Sequence, residues 1–496
     1  MRFQAMSDAP EIGRLFRRDG AVAWSLLAFL TSYTAWAWGG VRPSFHVVGV
    51  AVSVVLLAVV IVSGGGARQR WRRDPVMYLG AAFLGFLALQ WANAGREQYF
   101  DVGFQRWMYT PPRWRNWPSA FSRDEARQML AWFFPAWVIV TSIRTRLLPR
   151  RALRALLRFL VFNAAALAVF GVVQFVSGTA AIYWVQPLKE PFFASFGYGN
   201  HAAPFFVLAA ALAAGLLYRE AFDAAGEYGM DVSRFRLRHP GRMAGLFSAL
   251  LLCLLGANLG LSRTGVILAA VLALFTAGYG WVRGWAVLEA AGRVNLAALT
   301  LAAAASLFFL VAGFGQKGLE REFAPKPVEA GTLLSTGERI QLELGYRPVF
   351  ARAAISAWLE QPWFGLGGWG FKYRVADHVP RNLWPALETR GWANVHVDFL
   401  QFLAEFGVVG FGLLAGSGAW MLAEWFQPRC RRHALWVMSL AGGVLLGRFS
   451  LVDIPFRSPA ILYMGAVILA AVSQVCTSRS QSTSRARGVL LERNGL

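Results

Sequence analysis

The sequence predicts an all-α polytopic membrane protein of about twelve transmembrane helices, with both termini cytoplasmic and one large outward-facing loop between helices 9 and 10. Three observations predict it. Of the 496 residues, 56% are hydrophobic and only 15% charged, where a soluble domain needs roughly a quarter charged to cover its surface. The apolar residues gather in long runs, such as AVAWSLLAFLTSYTAWAW from Ala21 and VVGVAVSVVLLAVVIV from Val47, each able to cross a hydrocarbon core of about 30 Å as a helix. The arginines cluster at every second connection between runs, in Arg68–Arg73, Arg144–Arg158, Arg234–Arg242 and Arg429–Arg432, which is the positive-inside pattern.

The expected spans start near residues 21, 44, 76, 128, 155, 201, 243, 264, 294, 397, 433 and 459. Residues 1–20 are polar and are expected to form a cytoplasmic segment. The first apolar run lacks a small-residue cleavage site, so it is expected to remain as the first span rather than leave as a signal peptide. Residues 21–476 are then the membrane domain, and the Arg-rich tail 477–496 is expected to be a disordered cytoplasmic end. No ten-residue alternation suggests a barrel, and no internal repeat is evident. The formal charge of +22 reports topology and attraction to anionic lipids rather than nucleic acid, because it is distributed between spans. Cys253, Cys430 and Cys476 suggest neither a disulfide framework nor a metal site.

Three outward connections are long enough to hold chemistry: Asn93–Arg127, Thr179–Asn200 and the large loop, about 315–395. Between the seventh and eighth spans, Ser262 and Arg263 lie in GLSRTG at the outer end. Arg263 there is either an interfacial anchor or an anion ligand in an internal cavity. In the large loop Arg347 leads a helical stripe of Ala351, Ala354 and Trp358, followed by a glycine-rich turn, Gly365–Gly370. Such turns can offer N–H groups to phosphate, although this one matches no nucleotide-binding fingerprint, and Arg347 could equally be a solvated helix residue. His396 sits at the mouth of the tenth span, with Asp398, Gln401 and Glu405 on one stripe behind it. A carboxylate within an apolar span requires a partner, so Glu405 should face protein or water. A histidine at a helix mouth can be structural, but with arginines from other segments it could pair a general base with an anion clamp. No His/Asp/Glu cluster has metal-ligand spacing, and no GxSxG or Walker motif occurs.

Four stretches resemble a known family. FGYGNHAA around Asn200, LSRTG at Arg263, RPVFARAA…QPWFGLGGWGF from Arg347, and HVDFLQFLAEFGVVG from His396 are similar to segments of the O-antigen ligase and O-antigen polymerase superfamily of bacterial envelope glycosyltransferases. The specific part is the order and spacing of the last two in one large loop late in the chain. The resemblance spans roughly residues 150 to 450 and leaves the first four spans and the Trp107–Trp117 loop unmatched. The family often has Asn after the histidine where this chain has Val397, which bears on acceptor contacts.

The resemblance implies a donor glycan on undecaprenyl diphosphate in the bacterial inner membrane, a lipid or glycan acceptor, and a site facing the periplasm. Arg263 and Arg347, with Arg352 as a weaker third, would clamp the diphosphate, since the planar guanidinium pairs bidentately with phosphate. His396 would take the proton of the acceptor hydroxyl. Asn200, Ser262, Asp398, Gln401 and Glu405 would support them. Direct displacement would invert the anomeric centre. With no paired acids in an outer loop, neither metal nor cofactor is expected. The expected function is ligase-like transfer to lipid A–core or a similar acceptor. A polymerase of O-antigen or exopolysaccharide uses the same chemistry on a lipid-linked acceptor, and a flippase of lipid-linked sugars is the reading from another class. Trp107, Trp114, Trp117 and Trp369 could stack on sugars or form an interfacial belt.

Overall fold

A computed structural model describes residues 18–63, 69–95, 98–103, 106–188, 192–223, 240–260, 262–287, 293, 301, 304–305, 347–384, 394–428, 430–431 and 433–476. The expected terminal segments, most of the ninth span and the 315–346 part of the large loop lie outside these residues.

The described chain is helical. The helices are α1 (Arg18–Trp36), α2 (Pro43–Val62), α3 (Pro75–Ala92), α4 (Arg123–Arg144), α5 (Arg150–Val176), α6 (Gly199–Tyr218), α7 (Pro240–Leu259), α8 (Arg263–Val287), α9 (Arg347–Glu360), α10 (Phe371–Arg374), α11 (Asp398–Trp425), α12 (Ala434–Phe449) and α13 (Pro459–Cys476). Among the described residues, eight helices are long and apolar enough to cross a membrane, which makes this a polytopic membrane protein. Two connections carry small antiparallel hairpins, β1 (Gln98–Asp101) with β2 (Arg106–Tyr109), and β3 (Ala181–Ile182) with β4 (Gln186–Pro187).

α6 is the buried centre, packed against α5, α7, α8 and α12. Its run of alanines and Gly215 allows this, because small side chains let helix backbones approach closely without a hydrophobic drive between them. At Gly442 on α12 an added Cβ would stand 2.6 Å from the Ala211 Cβ, and at Gly256 on α7 it would meet the Phe206 ring at 3.1 Å. α4 packs on α2, α3 and α13, and α11 packs on α3, α9 and α13. At the end expected to be cytoplasmic, Arg144 joins three helices by pairing with Asp74 at the head of α3 and with Glu424 on α11 at 2.7 Å. On the other side, Lys372 pairs with Glu125, and the Tyr109 hydroxyl donates to the Tyr373 carbonyl. These contacts tie the β1–β2 hairpin and α4 to the described part of the large loop.

Candidate active site

The site is organised by an interruption in α11. Gly407 adopts φ 62°, ψ −172° within the helix, so the ladder opens there and its amide groups need partners from elsewhere in the protein. The turn after α9 supplies them. Val408 and Val409 N–H donate to the carbonyls of Pro362 (2.8 Å) and Trp363 (3.1 Å), while Leu366 and Gly367 N–H donate to those of Ala404 (2.9 Å) and Glu405 (2.8 Å). Glycine is required on both sides of this joint. A Cβ at Gly365 would lie 2.5 Å from the Glu405 carbonyl carbon, and one at Gly407 would run into the Trp363 carbonyl oxygen. The glycine-rich turn, which the sequence offered as an anion cradle, thus directs the Leu366 and Gly367 N–H groups into α11 and fixes the segment of that helix before Gly407 against α9.

His396 precedes α11 and stands in the left-handed region at φ 58°. Its neighbours hold it there. The buried Val395 N–H donates to Gln401 Oε1 at 2.8 Å, and the Asp398 N–H donates to the Ser450 carbonyl at 2.9 Å. Asp398 in turn accepts from the Phe456 N–H at 3.1 Å. These last two bonds bind the head of α11 to the short connection between α12 and α13, and that connection carries Asp453.

Asp453 is the hub of the site, with its side chain only 3% exposed. His396 Nδ1 lies 3.5 Å from its Oδ1, near enough for a charge contact and slightly long for a hydrogen bond. Arg347, at the head of α9, brings Nη2 to 3.6 Å from Oδ2 and keeps its own side chain 40% exposed. From the head of α6, Asn200 Nδ2 donates to Oδ2, and the Tyr198 hydroxyl donates to the same oxygen at 3.1 Å. The Ile454 N–H donates to Oδ1 at 2.8 Å. Burial by itself would push the Asp453 carboxyl up. The neighbouring His396 imidazole and the Ile454 N–H outweigh it, and the carboxyl is held below its usual range. Burial and the adjacent Asp453 push the Tyr198 phenol above its usual value, so it stays a donor at neutral pH.

Thus His396, Arg347 and Asn200, three residues expected from the sequence, come together around a carboxylate that the reading passed over. The other expected residues fall in distinct places. Ser262 accepts the Gly265 N–H at 3.3 Å and caps α8, so its hydroxyl starts the helix that carries Arg263. That junction packs on the head of α6. A Cβ at Gly265 would collide with the Ala203 Cβ, and one at Gly260 would meet the Ala203 nitrogen at 3.2 Å. Arg263 therefore begins its helix beside the segment that carries Asn200. Arg352 lies on α9 five residues after Arg347, and so on a different face of the helix. Gln401 and Glu405 form a buried chain: Gln401 Nε2 donates to Glu405 Oε1 at 2.5 Å, and Glu405 Oε2 pairs with Arg457.

The tryptophans separate by environment. Trp369 lies under the Arg457 guanidinium, 4.4 Å from ring centroid to Cζ, and edge-on to Trp132 at 5.8 Å. Trp114 and Trp117 are exposed at 40% and 57%. The Trp107 side chain lies outside the description.

Asp453, Tyr198 and Arg457 are the residues that the sequence reading missed. Length marks a connection as a candidate, and the one bearing Asp453 and Arg457 is short. The usable signal was there: two opposite charges at the mouths of two apolar spans, where ionisable groups need partners or a function. Among the described residues, no group of three or more His, Cys, Asp or Glu side chains could hold a metal ion.

Residues 248–415 match the model of the O-antigen ligase family. The matched segment contains Arg263, Arg347, Arg352, His396, Asp398, Gln401 and Glu405, and leaves Asn200 and Asp453 on either side of it. A comparison with curated proteins returned no match.

Proposed function

This chain is a member of the O-antigen ligase and polymerase superfamily through residues 248–415, and on that premise we propose that it transfers a glycan from undecaprenyl diphosphate to an acceptor hydroxyl at the periplasmic face of the bacterial inner membrane. The observation that carries the reading is the convergence of His396, at the head of α11, and Arg347, at the head of α9, on the buried Asp453 carboxylate.

In the proposed reaction Asp453 fixes His396 with its proton on Nδ1, leaving Nε2 as the acceptor of a proton. The acceptor hydroxyl gives its proton to Nε2 as its oxygen attacks the anomeric carbon. The bond from that carbon to the diphosphate oxygen breaks, and its electron pair leaves with the lipid diphosphate. Arg347, half open to the site, and Arg263 stabilise the charge that develops there, and this stabilisation is greatest where water is excluded. Arg352, on the same helix as Arg347, is the outer member of the basic set. A single displacement inverts the anomeric centre. The proposed acceptor is lipid A–core or a similar glycolipid, and the proposed topology keeps twelve spans with both termini in the cytoplasm.

The test uses purified protein reconstituted in liposomes, undecaprenyl-diphosphate glycan, excess chelator, and a panel of acceptors comprising lipid A–core, lipid-linked repeat and glycosylatable peptide. Transfer to lipid A–core with inversion, undiminished by chelator, is the expected result. Transfer confined to lipid-linked repeats would make the protein a polymerase. Loss of transfer in chelator would overturn the metal-free mechanism, and translocation of donor without transfer would overturn the enzyme reading.

A further inference from the structure

The buried chain behind His396 has a fixed polarity, and that polarity determines the backbone on which the histidine stands. Arg457 has only N–H groups to give, and an ionised Glu405 only accepts. With its side chain 2% exposed and Glu405 at 0%, Arg457 donates to Oε2 and leaves Oε1 facing Gln401. The Gln401 amide can be placed in two orientations. Only one of them directs its NH₂ to Glu405 Oε1, at 2.5 Å, and its oxygen to the Val395 N–H, at 2.8 Å. The flipped amide would set oxygen against carboxylate and NH₂ against N–H, leaving buried groups unpaired on both sides. Val395 is 0% exposed, so bulk water does not reach the lost partner. The next residue is His396 at φ 58°, a conformation that persists in a non-glycine residue only when its surroundings enforce it.

We propose that Arg457, Glu405 and Gln401 form a polarity relay that positions His396: Arg457 orients Glu405, Glu405 orients the Gln401 amide, and Gln401 pins the Val395 N–H and with it the left-handed turn that presents the imidazole to Asp453. The three are positioning residues, since none touches the reacting atoms. The inference rests on His396 acting as the base in the proposed transfer. Trp369 and Met129 close the relay from below, the first stacked on the Arg457 guanidinium and the second accepting from Arg457 Nη1 through sulfur at 3.7 Å.

The relay makes a prediction that simple packing does not. Glu405→Gln removes the acceptor-only partner and frees the Gln401 amide to flip. Gln401→Glu sets two carboxylates against each other. Combined, the two substitutions restore the pattern. The amide now at position 405 accepts from Arg457 and donates to the carboxylate now at position 401, whose other oxygen accepts from Val395. The experiment measures steady-state transfer by wild type, His396→Ala, the two single variants and the exchanged pair, all reconstituted, with detergent melting temperatures as the check on folding. Each single variant is expected to lower kcat at least about tenfold with KM within about twofold, and the exchanged pair to recover kcat to within about threefold of wild type. Gln401→Asn, uncharged and too short to bridge, stands in for any single variant that does not fold and is expected to show the same kcat loss. Folded single variants at wild-type kcat overturn the relay, as does a folded exchanged pair no better than its singles. Wild type that transfers nothing, or His396→Ala as active as wild type, overturns the functional reading and the relay with it.

Discussion

His396→Ala is expected to lower kcat for glycan transfer at least about a hundredfold while the protein keeps its fold. General base catalysis by a positioned side chain contributes about 10²–10⁴-fold, and alanine offers no substitute acceptor for the proton. The imidazole is 29% exposed, so its removal opens no cavity in the core and leaves the bonds of Val395 and Asp398 intact. The loss should therefore appear in kcat, with a melting temperature in detergent close to that of wild type and donor binding unchanged. Equal activity of the folded variant would remove His396 from the chemistry and leave it a structural residue of the helix mouth.

Asp453→Asn should lose activity and stability together. The carboxylate accepts from Asn200, Tyr198 and the Ile454 N–H and faces the charges of His396 and Arg347. An amide of the same shape keeps one acceptor atom and turns a donor toward a cluster of donors. With the site buried, at least one partner is left unpaired, at about 1–3 kcal/mol. The imidazole also loses the group that selects its Nδ1–H tautomer and stabilises the imidazolium, a substitution worth about 10⁴-fold in the serine-protease triad. A fall in kcat of at least about a hundredfold, no greater than that of His396→Ala, with a lower melting temperature, is the expected outcome of kinetics and thermal unfolding measured on one preparation. A destabilised variant with normal kcat would make Asp453 a structural hub only.

Much of the fold was legible because a membrane imposes it. Helix starts at Pro43, Pro75, Gly199, Pro240, Arg263, Asp398, Ala434 and Pro459 fall within a few residues of the expected spans, since runs of apolar residues about as long as the hydrocarbon is thick have little other use. What was less legible was which helix would be central. The Ala209–Ala214 run reads as any apolar segment, and its burial on all sides depends on glycines in α7 and α12 that sequence periodicity does not connect to it. The broken geometry of α11 was likewise hidden. Gly407 follows Glu405 in an apolar run, and only the seating of the Pro362–Gly367 turn against it shows that the helix opens there.

The candidate site divides along the same line. His396 and Arg347 stood out because each is a charged or polar group at the head of a segment in a long loop. Asp453 did not, because its importance comes from tertiary convergence: the head of α6 brings Asn200 and Tyr198, α9 brings Arg347, and the head of α11 brings His396. No spacing along the chain encodes that meeting. Glu405 was expected to have a partner, and the structure supplies Arg457, whose position in the short α12–α13 connection gave no hint of reaching the middle of α11.

Asp453 is proposed to act through His396, and a double-mutant cycle on transfer kinetics tests this. Residues that work as one unit show strongly non-additive losses. Folded His396→Ala/Asp453→Asn is expected to transfer glycan within about threefold of the His396→Ala rate, because a carboxylate with no imidazole to hold has little left to contribute to kcat. A double variant slower by the full product of the two single losses would contradict it, and would mean that the two residues serve transfer independently.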